Sequence, residues 1–202
     1  MGKNIILKDK TNLLFRHLKK KDKNRLAEFF KSLPHKDRVY LRRDITDKET
    51  VKQIIKSSKS GKNPRIIAID KDNIVGYGLL EFEKKQWKKH TCEIRIIISK
   101  AYRRKGVGML LARELYSLAI SAKVEEIIVN IMKIQKAAIS IFERLGFKQE
   151  AVLYDYVMDL EGNKQDLIIM RCNVAEMWKE LEEYLKDSDW HRTRSIKIDN
   201  LF

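Results

Sequence analysis

The sequence predicts a mixed α/β fold with a mostly antiparallel central sheet flanked by helices. Two observations predict this class. Three strand-like segments between residues 65 and 98 are joined by short turns, which is typical of an antiparallel meander. Downstream, a long helical pattern separates two strand patterns, and a helical crossover of this kind implies a parallel strand pair. The 202 residues suit one domain with a core of its own.

The first third of the chain combines short strand patterns with helical ones. Apolar residues mark strands near residues 5–7 and 13–16. They then recur at steps of three and four across residues 22–33, which is the spacing of an amphipathic helix. A second helix is predicted to begin at Thr46, because Thr46 and Glu49 have the spacing of a capping box.

Six strands and two helices are predicted in the rest of the domain. Turn residues separate the strands of the meander and of a final hairpin, and Gly146 marks the end of the second long helix. The predicted strands are residues 65–70, 74–83, 91–98, 126–132, 150–160 and 165–172, and the predicted helices are residues 107–122 and 135–145.

Residues 175–202 are predicted to extend the domain formed by residues 1–174. An apolar stripe with helical spacing runs along residues 175–185. We therefore expect a C-terminal amphipathic helix and a tail that pack on the same domain. A homodimer contact is the alternative use of the stripe.

Composition and charge narrow the class of protein. The formal net charge is +15, but the cations are scattered rather than gathered on one helix face, so we do not expect a nucleic-acid surface. No apolar run approaches the ~20 residues of a membrane span, so we expect a cytoplasmic protein without a membrane partner. The two cysteines, Cys92 and Cys172, lie in apolar strand patterns and predict reduced core residues rather than a metal site.

Residues 103–108, RRKGVG, join a strand to a helix and form what we call the glycine loop. The first N–H groups of a helix have no intrahelical partner, and Gly106 and Gly108 let a ligand come close to the backbone. With Arg103, Arg104 and Lys105 beside them, these groups predict an anion cradle suited to a pyrophosphate. An ordinary turn with solvent-exposed cations is the alternative.

The glycine loop resembles a signature of the GNAT superfamily of acyl-CoA-dependent N-acyltransferases. That signature, Arg/Gln-x-x-Gly-x-Gly/Ala, is matched by Arg103, Gly106 and Gly108. Residues 135–147, QKAAISIFERLGF, resemble the helix that follows in this family, Asn-x-x-Ala-Ile-x-x-Tyr-x-x-x-Gly-Phe. The likeness covers roughly residues 3–172.

The resemblance implies that acetyl-CoA is the cosubstrate and that no metal takes part. Backbone N–H groups of the glycine loop would bind the pyrophosphate, and the preceding strand would pair with the pantetheine arm. The parallel strands would splay apart to admit that arm, and an N–H near Ile97 or Ile98 would polarise the thioester carbonyl. The implied cofactor-binding residues are Ile96, Ile97, Ile98, Arg103, Arg104, Lys105, Gly106, Val107, Gly108, Gln135 and Phe142.

Two polar residues on apolar strands are candidates for the chemistry. Glu93 lies where many members of the family carry a glutamate, and it is the candidate general base that deprotonates the amine. An ion pair with Arg95 is the alternative. Asn130 is the candidate for orienting the substrate or a water molecule, and a satisfied core amide is its alternative.

The helix of residues 135–145 departs from the family pattern. The family's tyrosine, the usual proton donor to the leaving thiolate, falls on Phe142, which has no proton to donate, and its asparagine falls on Gln135. Tyr154, or Tyr156 on the same strand, is the candidate replacement, and solvent is the other proton source.

The resemblance implies an N-acetyltransferase. It would move an acetyl group from acetyl-CoA to a primary amine of a protein or small molecule, by direct attack in a ternary complex. The alternative, which Phe142 makes worth testing, is a non-catalytic acyl-CoA-binding sensor.

Overall fold

The computed structural model describes residues 2–58, 61–83 and 85–174. Eight strands within these residues form one sheet. They are β1 (Lys3–Ile6), β2 (Asn12–His17), β3 (Arg65–Asp70), β4 (Asn73–Phe82), β5 (Thr91–Ile98), β6 (Glu126–Met132), β7 (Lys148–Met158) and β8 (Lys164–Asn173). Their order across the sheet is β1-β2-β3-β4-β5-β6-β8-β7.

Helices follow or connect these strands. The α-helices are α1 (Lys23–Ser32), α2 (His35–Arg38), α3 (Lys48–Ser58), α4 (Val107–Ser121) and α5 (Lys136–Arg144). Single 3-10 turns lie at Lys20–Asp22, Gln86–Lys88 and Lys100–Tyr102. Because α4 joins β5 to β6, those two strands run parallel, and the other neighbouring strands are antiparallel.

Two hydrophobic cores lie on the two faces of the sheet. On one face α4 packs against alternate residues of the central strands, among them Ile94 on β5 and Ile127 on β6. On the other face α1 and α3 pack against β3 and β4, with Phe30 and Ile67 fully buried. Side chains alternate between the faces along a strand, so Glu93, Ile97 and Asn130 belong to the second face.

Close contact between α4 and the sheet depends on two glycines of β4. A Cβ at Gly76 would lie 2.9 Å from Leu111 Cδ1, and one at Gly78 would lie 3.1 Å from Leu115 Cδ1. A side chain at either position would push α4 away from the sheet. These glycines therefore fix the distance of the helix that starts at the glycine loop.

The predicted fold class is confirmed. The mostly antiparallel sheet, the meander of β3, β4 and β5 and the helical crossover are present, and the bounds of the long elements agree with the predicted bounds to within two residues. Both cysteines are buried in the core, as predicted. The predicted helix of residues 175–185 lies outside the described residues.

The predicted start of the second helix is wrong. The helix begins at Lys48, and Asp47 caps it by accepting a hydrogen bond of 2.7 Å from the Thr50 N–H. Thr46 instead donates its hydroxyl proton to Asp44. A carboxylate in the position just before the first turn accepts such a bond as readily as a threonine does, so spacing alone did not choose between them.

Candidate active site

The glycine loop presents free backbone N–H groups at the start of α4. Gly106 has a φ of 84° and Arg104 a φ of 59°, both in the left-handed region. The first backbone hydrogen bond of α4 runs from the Leu110 N–H to the Gly106 carbonyl, at 3.1 Å. In the described part of the chain the N–H groups of residues 104–109 have no backbone acceptor. Free N–H groups at the positive end of a helix dipole form a site that favours an anion.

Gly108 leaves space that the protein itself does not fill. It is not among the residues with a positive φ, so its conformation does not require glycine. A Cβ there would have Ile98 Cγ1 as its nearest neighbour outside α4, at 3.8 Å, which is an ordinary contact. Neither packing nor backbone geometry explains the missing side chain, whereas a ligand lying against the backbone does. The loop therefore fits a pyrophosphate.

Arg103 forms an ion pair that connects the glycine loop to α2. Its Nη2 lies 2.7 Å from Asp37 Oδ2 on α2, and its Nε donates to the Ile98 carbonyl at 3.2 Å. Arg104 is exposed and has no acidic partner among the described residues. Of these two cations, Arg104 is the one that an incoming phosphate meets without first displacing a carboxylate.

Lys105 is also paired. Its Nζ lies 2.9 Å from Asp9 Oδ2 and 5.5 Å from the centre of the Tyr102 ring. Hydrogen bonds from Thr11 and from Lys105 lower the pKa of Asp9 to about 2. The carboxylate thus stays charged at neutral pH, and it competes with a phosphate for Lys105.

β5 and β6 separate beyond a short paired stretch, leaving what we call the strand gap. They pair only from Thr91 opposite Glu126 to Glu93 opposite Ile128. The Ser99 N–H donates a hydrogen bond of 2.9 Å to the Val75 carbonyl on β4. Because backbone groups alternate in direction along a strand, those of Ile96 and Ile98 face the gap and those of Ile97 face β4. Of the three predicted backbone partners, two are therefore open to a ligand.

The segment predicted to border the far side of the gap contains Gln135 and Phe142. Gln135 Oε1 accepts a hydrogen bond of 3.2 Å from the Met132 N–H at the end of β6. Phe142 packs edge-on against Phe147, with ring centres 5.0 Å apart. Phe142 has no proton to offer a leaving group.

Glu93 lies in a cluster of charges on the face opposite α4. Its Oε1 contacts Arg42 Nη2 and lies 3.4 Å from Arg95 Nε, and Arg95 also pairs with Glu81. The side chain of Glu93 is 18% exposed. No described contact involves Oε2, so one carboxylate oxygen remains for an acceptor amine or for water.

Arg42, the partner of Glu93, lines a cavity of about 500 Å³, which we call the Arg42 cleft. One part of its wall is apolar and consists of Met132, Leu153, Val157, Met158, Leu167 and Ile169. The polar part of its wall consists of Tyr40, Arg42, Asn130, Gln135 and Tyr156. Asn130 thus lies where β6 borders both the strand gap and the cleft.

A bulge in β7 separates the two candidate tyrosines. Leu153 pairs with Leu167 and Val157 with Gln165, so residues 154–156 face the single residue Asp166. Asp155 has a φ of 48° and donates its N–H to Asp166. Such bulges redirect side chains.

Tyr156 and Tyr154 lie in different surroundings as a result. Both are largely exposed, Tyr154 at 73% and Tyr156 at 66%. Tyr156 lines the Arg42 cleft, whereas the ring of Tyr154 lies 5.3 Å from Lys133 Nζ and is not among the lining residues. The geometry therefore favours Tyr156 over Tyr154 as a proton donor at the site.

Tyr40 and Arg42 are site residues that no pattern in the sequence identified. They follow α2 in a segment without regular spacing, and the Val39 carbonyl accepts a hydrogen bond from Leu160 of the β7–β8 hairpin at 2.9 Å. This bond holds the segment over the sheet. A run of polar and aromatic residues just before the second helix was the only signal.

The described residues contain neither a metal-binding cluster nor a helix suited to a membrane. No group of three or more His, Cys, Asp or Glu side chains there could hold a metal ion. None of the described helices has the length and apolar character needed to cross a membrane.

Comparison with known families identifies the class of protein. Residues 12–148 match the family model of the acetyltransferase (GNAT) domain. This match spans more than half of the chain, which therefore belongs to the GNAT acetyltransferase family. No curated protein sequence matches the chain.

Solved structures share the fold. A GNAT-family acetyltransferase from Streptococcus pneumoniae has a TM-score of 0.67 and 21% identity, over 80% of this chain and 99% of that one. A putative acetyltransferase from Salmonella typhimurium, solved with its cofactor acetyl-CoA, has a TM-score of 0.69 and 19% identity, over 81% and 94%. A ribosomal-protein-alanine N-acetyltransferase from Brucella melitensis has a TM-score of 0.68 and 22% identity, over 79% and 98%.

Proposed function

We propose that this protein is an N-acetyltransferase that moves an acetyl group from acetyl-CoA to a primary amine by direct attack in a ternary complex. The observation that carries this proposal is the unexplained space at Gly108 beside unpaired N–H groups. The similar Salmonella structure was solved with acetyl-CoA, which supports this choice of cosubstrate. We also expect a cytoplasmic setting, as the sequence predicts.

Different parts of the chain bind different parts of acetyl-CoA. Residues 104–108 donate N–H groups to the pyrophosphate, and Arg104 adds a mobile positive charge. Ile96 and Ile98 offer backbone groups in the strand gap to the amides of the pantetheine arm, as a neighbouring strand does. The Ile98 N–H is the candidate donor that polarises the thioester carbonyl, whereas Ile97 uses its groups within the sheet.

Glu93 prepares the amine for attack. An alkylammonium group with a pKa near ~10.4 is almost fully charged at neutral pH and must lose a proton before it can act as a nucleophile. Glu93 Oε2 takes that proton directly or through water, while Oε1 stays on Arg42. Acetyl-CoA supplies the thioester, in which the C–S bond breaks as the new C–N bond forms.

The leaving thiolate takes up a proton from Tyr156 or from solvent. Tyr156 lines the cleft and carries a hydroxyl group, whereas Phe142 carries none. A thiolate whose conjugate acid has a pKa near ~8.5 leaves without obligatory protonation, so activity does not require the family's tyrosine.

The test is the release of free CoA thiol from acetyl-CoA when amines are supplied, followed with a thiol reagent. An enzyme releases thiol in proportion to the amine added. A chain that is stabilised thermally by acetyl-CoA, yet releases no thiol with any amine, is the sensor instead.

A further inference from the structure

We propose that the Arg42 cleft selects a small α-amino acid as the acceptor, with its carboxylate on Arg42 and its side chain against the apolar wall. This assignment rests on the acetyltransferase activity proposed above and names its substrate class. Three features support this assignment: Arg42 has unused N–H donors, Glu93 contacts Arg42, and most of the residues that line the cleft are apolar.

Arg42 is suited to hold a carboxylate. It is the only cation among the described residues that line the cleft, and its side chain is 43% exposed. A guanidinium group has five N–H donors, and among the described contacts only Nη2 is used, toward Glu93. The remaining donors match the two oxygens of a carboxylate, which arginine binds in a bidentate manner.

Glu93 determines which amine of the acceptor reacts. Arg42 contacts Glu93 directly, so a carboxylate bound to Arg42 lies next to Glu93 as well. An amine on the neighbouring carbon atom then lies nearer to Glu93 than an amine at the far end of a chain does.

The wall of the cleft selects against cationic acceptors and accommodates an apolar side chain. Six apolar residues line it, including Leu153, Val157 and Ile169, and no carboxylate is among its described lining residues. Apart from Glu93 behind Arg42, a polyamine would find no opposite charge among the described lining residues. The volume of about 500 Å³ lies in the usual range for small-molecule sites.

The first experiment compares acceptors with the wild-type chain. Release of CoA thiol is measured with leucine, with leucinamide, which lacks the carboxylate and imitates a protein N-terminus, and with 6-aminohexanoate, which moves the amine. We expect kcat/KM for leucine to exceed the value for either analogue by about tenfold or more, because charged hydrogen bonds contribute that much. Equal values for leucine and leucinamide would overturn the proposal and point to a peptide acceptor.

The second experiment locates the selectivity on Arg42. Arg42→Gln should lower the ratio of kcat/KM for leucine to kcat/KM for leucinamide by about tenfold or more, and any effect of losing the contact with Glu93 should be common to both acceptors. Arg95→Gln is the matched control, because Arg95 also pairs with Glu93 but does not line the cleft. It should keep the preference for leucine. An Arg42→Gln variant that slows both acceptors equally contradicts the proposal.

Calorimetry separates this proposal from the acetyltransferase activity itself. Leucine is titrated into protein saturated with CoA, where no transfer occurs. If leucine binds and Arg42→Gln abolishes that binding, yet the chain releases no thiol, the result supports the carboxylate site and contradicts the activity. Fast acetylation of leucinamide contradicts the site and supports the activity, and the absence of both binding and turnover contradicts both.

Discussion

The glycine loop and the Arg42 cleft differ in the part of the polypeptide that builds them. The loop uses backbone N–H groups, whose direction is set by two left-handed residues and by the start of α4. The cleft uses side chains from the segment after α2 and from the bulge in β7. Side chains on loops differ more readily than backbone groups do, so we expect the loop to bind the cosubstrate and the cleft to select the acceptor.

This difference predicts that changes in the loop affect binding of acetyl-CoA, and that changes around the cleft affect turnover. Gly108→Trp should give the largest effect. Its side chain would fill the space beside the free N–H groups and remove two or more charged hydrogen bonds, so the Kd for acetyl-CoA should rise by about 100-fold or more.

Ser121→Trp is the matched control for that variant, because Ser121 is an exposed residue at the other end of α4. Calorimetry should give it the wild-type affinity. Tight binding of acetyl-CoA to Gly108→Trp would show that the pyrophosphate lies elsewhere.

Glu93→Gln should leave acetyl-CoA affinity unchanged and lower kcat by about 100-fold near neutral pH, because the amide cannot take a proton. The deficit should shrink as the pH rises, since the amine then loses its proton to solvent. The pH–rate profiles of both forms check this, and parallel profiles would remove Glu93 from the mechanism as a base.

Tyr156→Phe should lower kcat by about tenfold, a moderate loss because solvent can also protonate the thiolate. Tyr154→Phe is its control, since Tyr154 lies on the same bulge but not among the lining residues of the cleft. Steady-state rates that fall more in Tyr154→Phe than in Tyr156→Phe would reverse the assignment.

Phe142→Tyr should give the smallest effect. The new hydroxyl group extends a half-buried ring that packs on Phe147, so acetyl-CoA affinity should stay within about threefold of the wild-type value and turnover should not fall. A large loss of affinity, measured by calorimetry, would mean that α5 does not border the strand gap as predicted.

Sequence patterns predicted the parts of this molecule that depend on local chemistry. The start of α4 at Val107 and the meander follow from helix spacing and turn residues. These features depend on residues close together in the chain, and short-range geometry decides them.

The other features of the fold and of the candidate site depend on contacts between residues that are distant in the sequence. The bulge that separates Tyr154 from Tyr156 exists because of the register with β8, and Arg42 reaches Glu93 across 51 positions of sequence. The pairing of Asp9 with Lys105 is of the same kind. No periodicity in one segment reports such contacts, so the cleft could not be derived from the sequence.

The central claim is that a ligand occupies the space beside Gly108, and Gly108→Leu tests it most directly, because the family signature admits alanine at this position but no larger side chain. The added Cβ meets only Ile98 at 3.8 Å outside α4, so the free protein should be at least as stable as the wild type, because leucine favours a helix more than glycine does. Acetyl-CoA affinity, measured by calorimetry on the same preparation, should fall by about tenfold. Unchanged affinity in a variant of at least wild-type stability would contradict the claim.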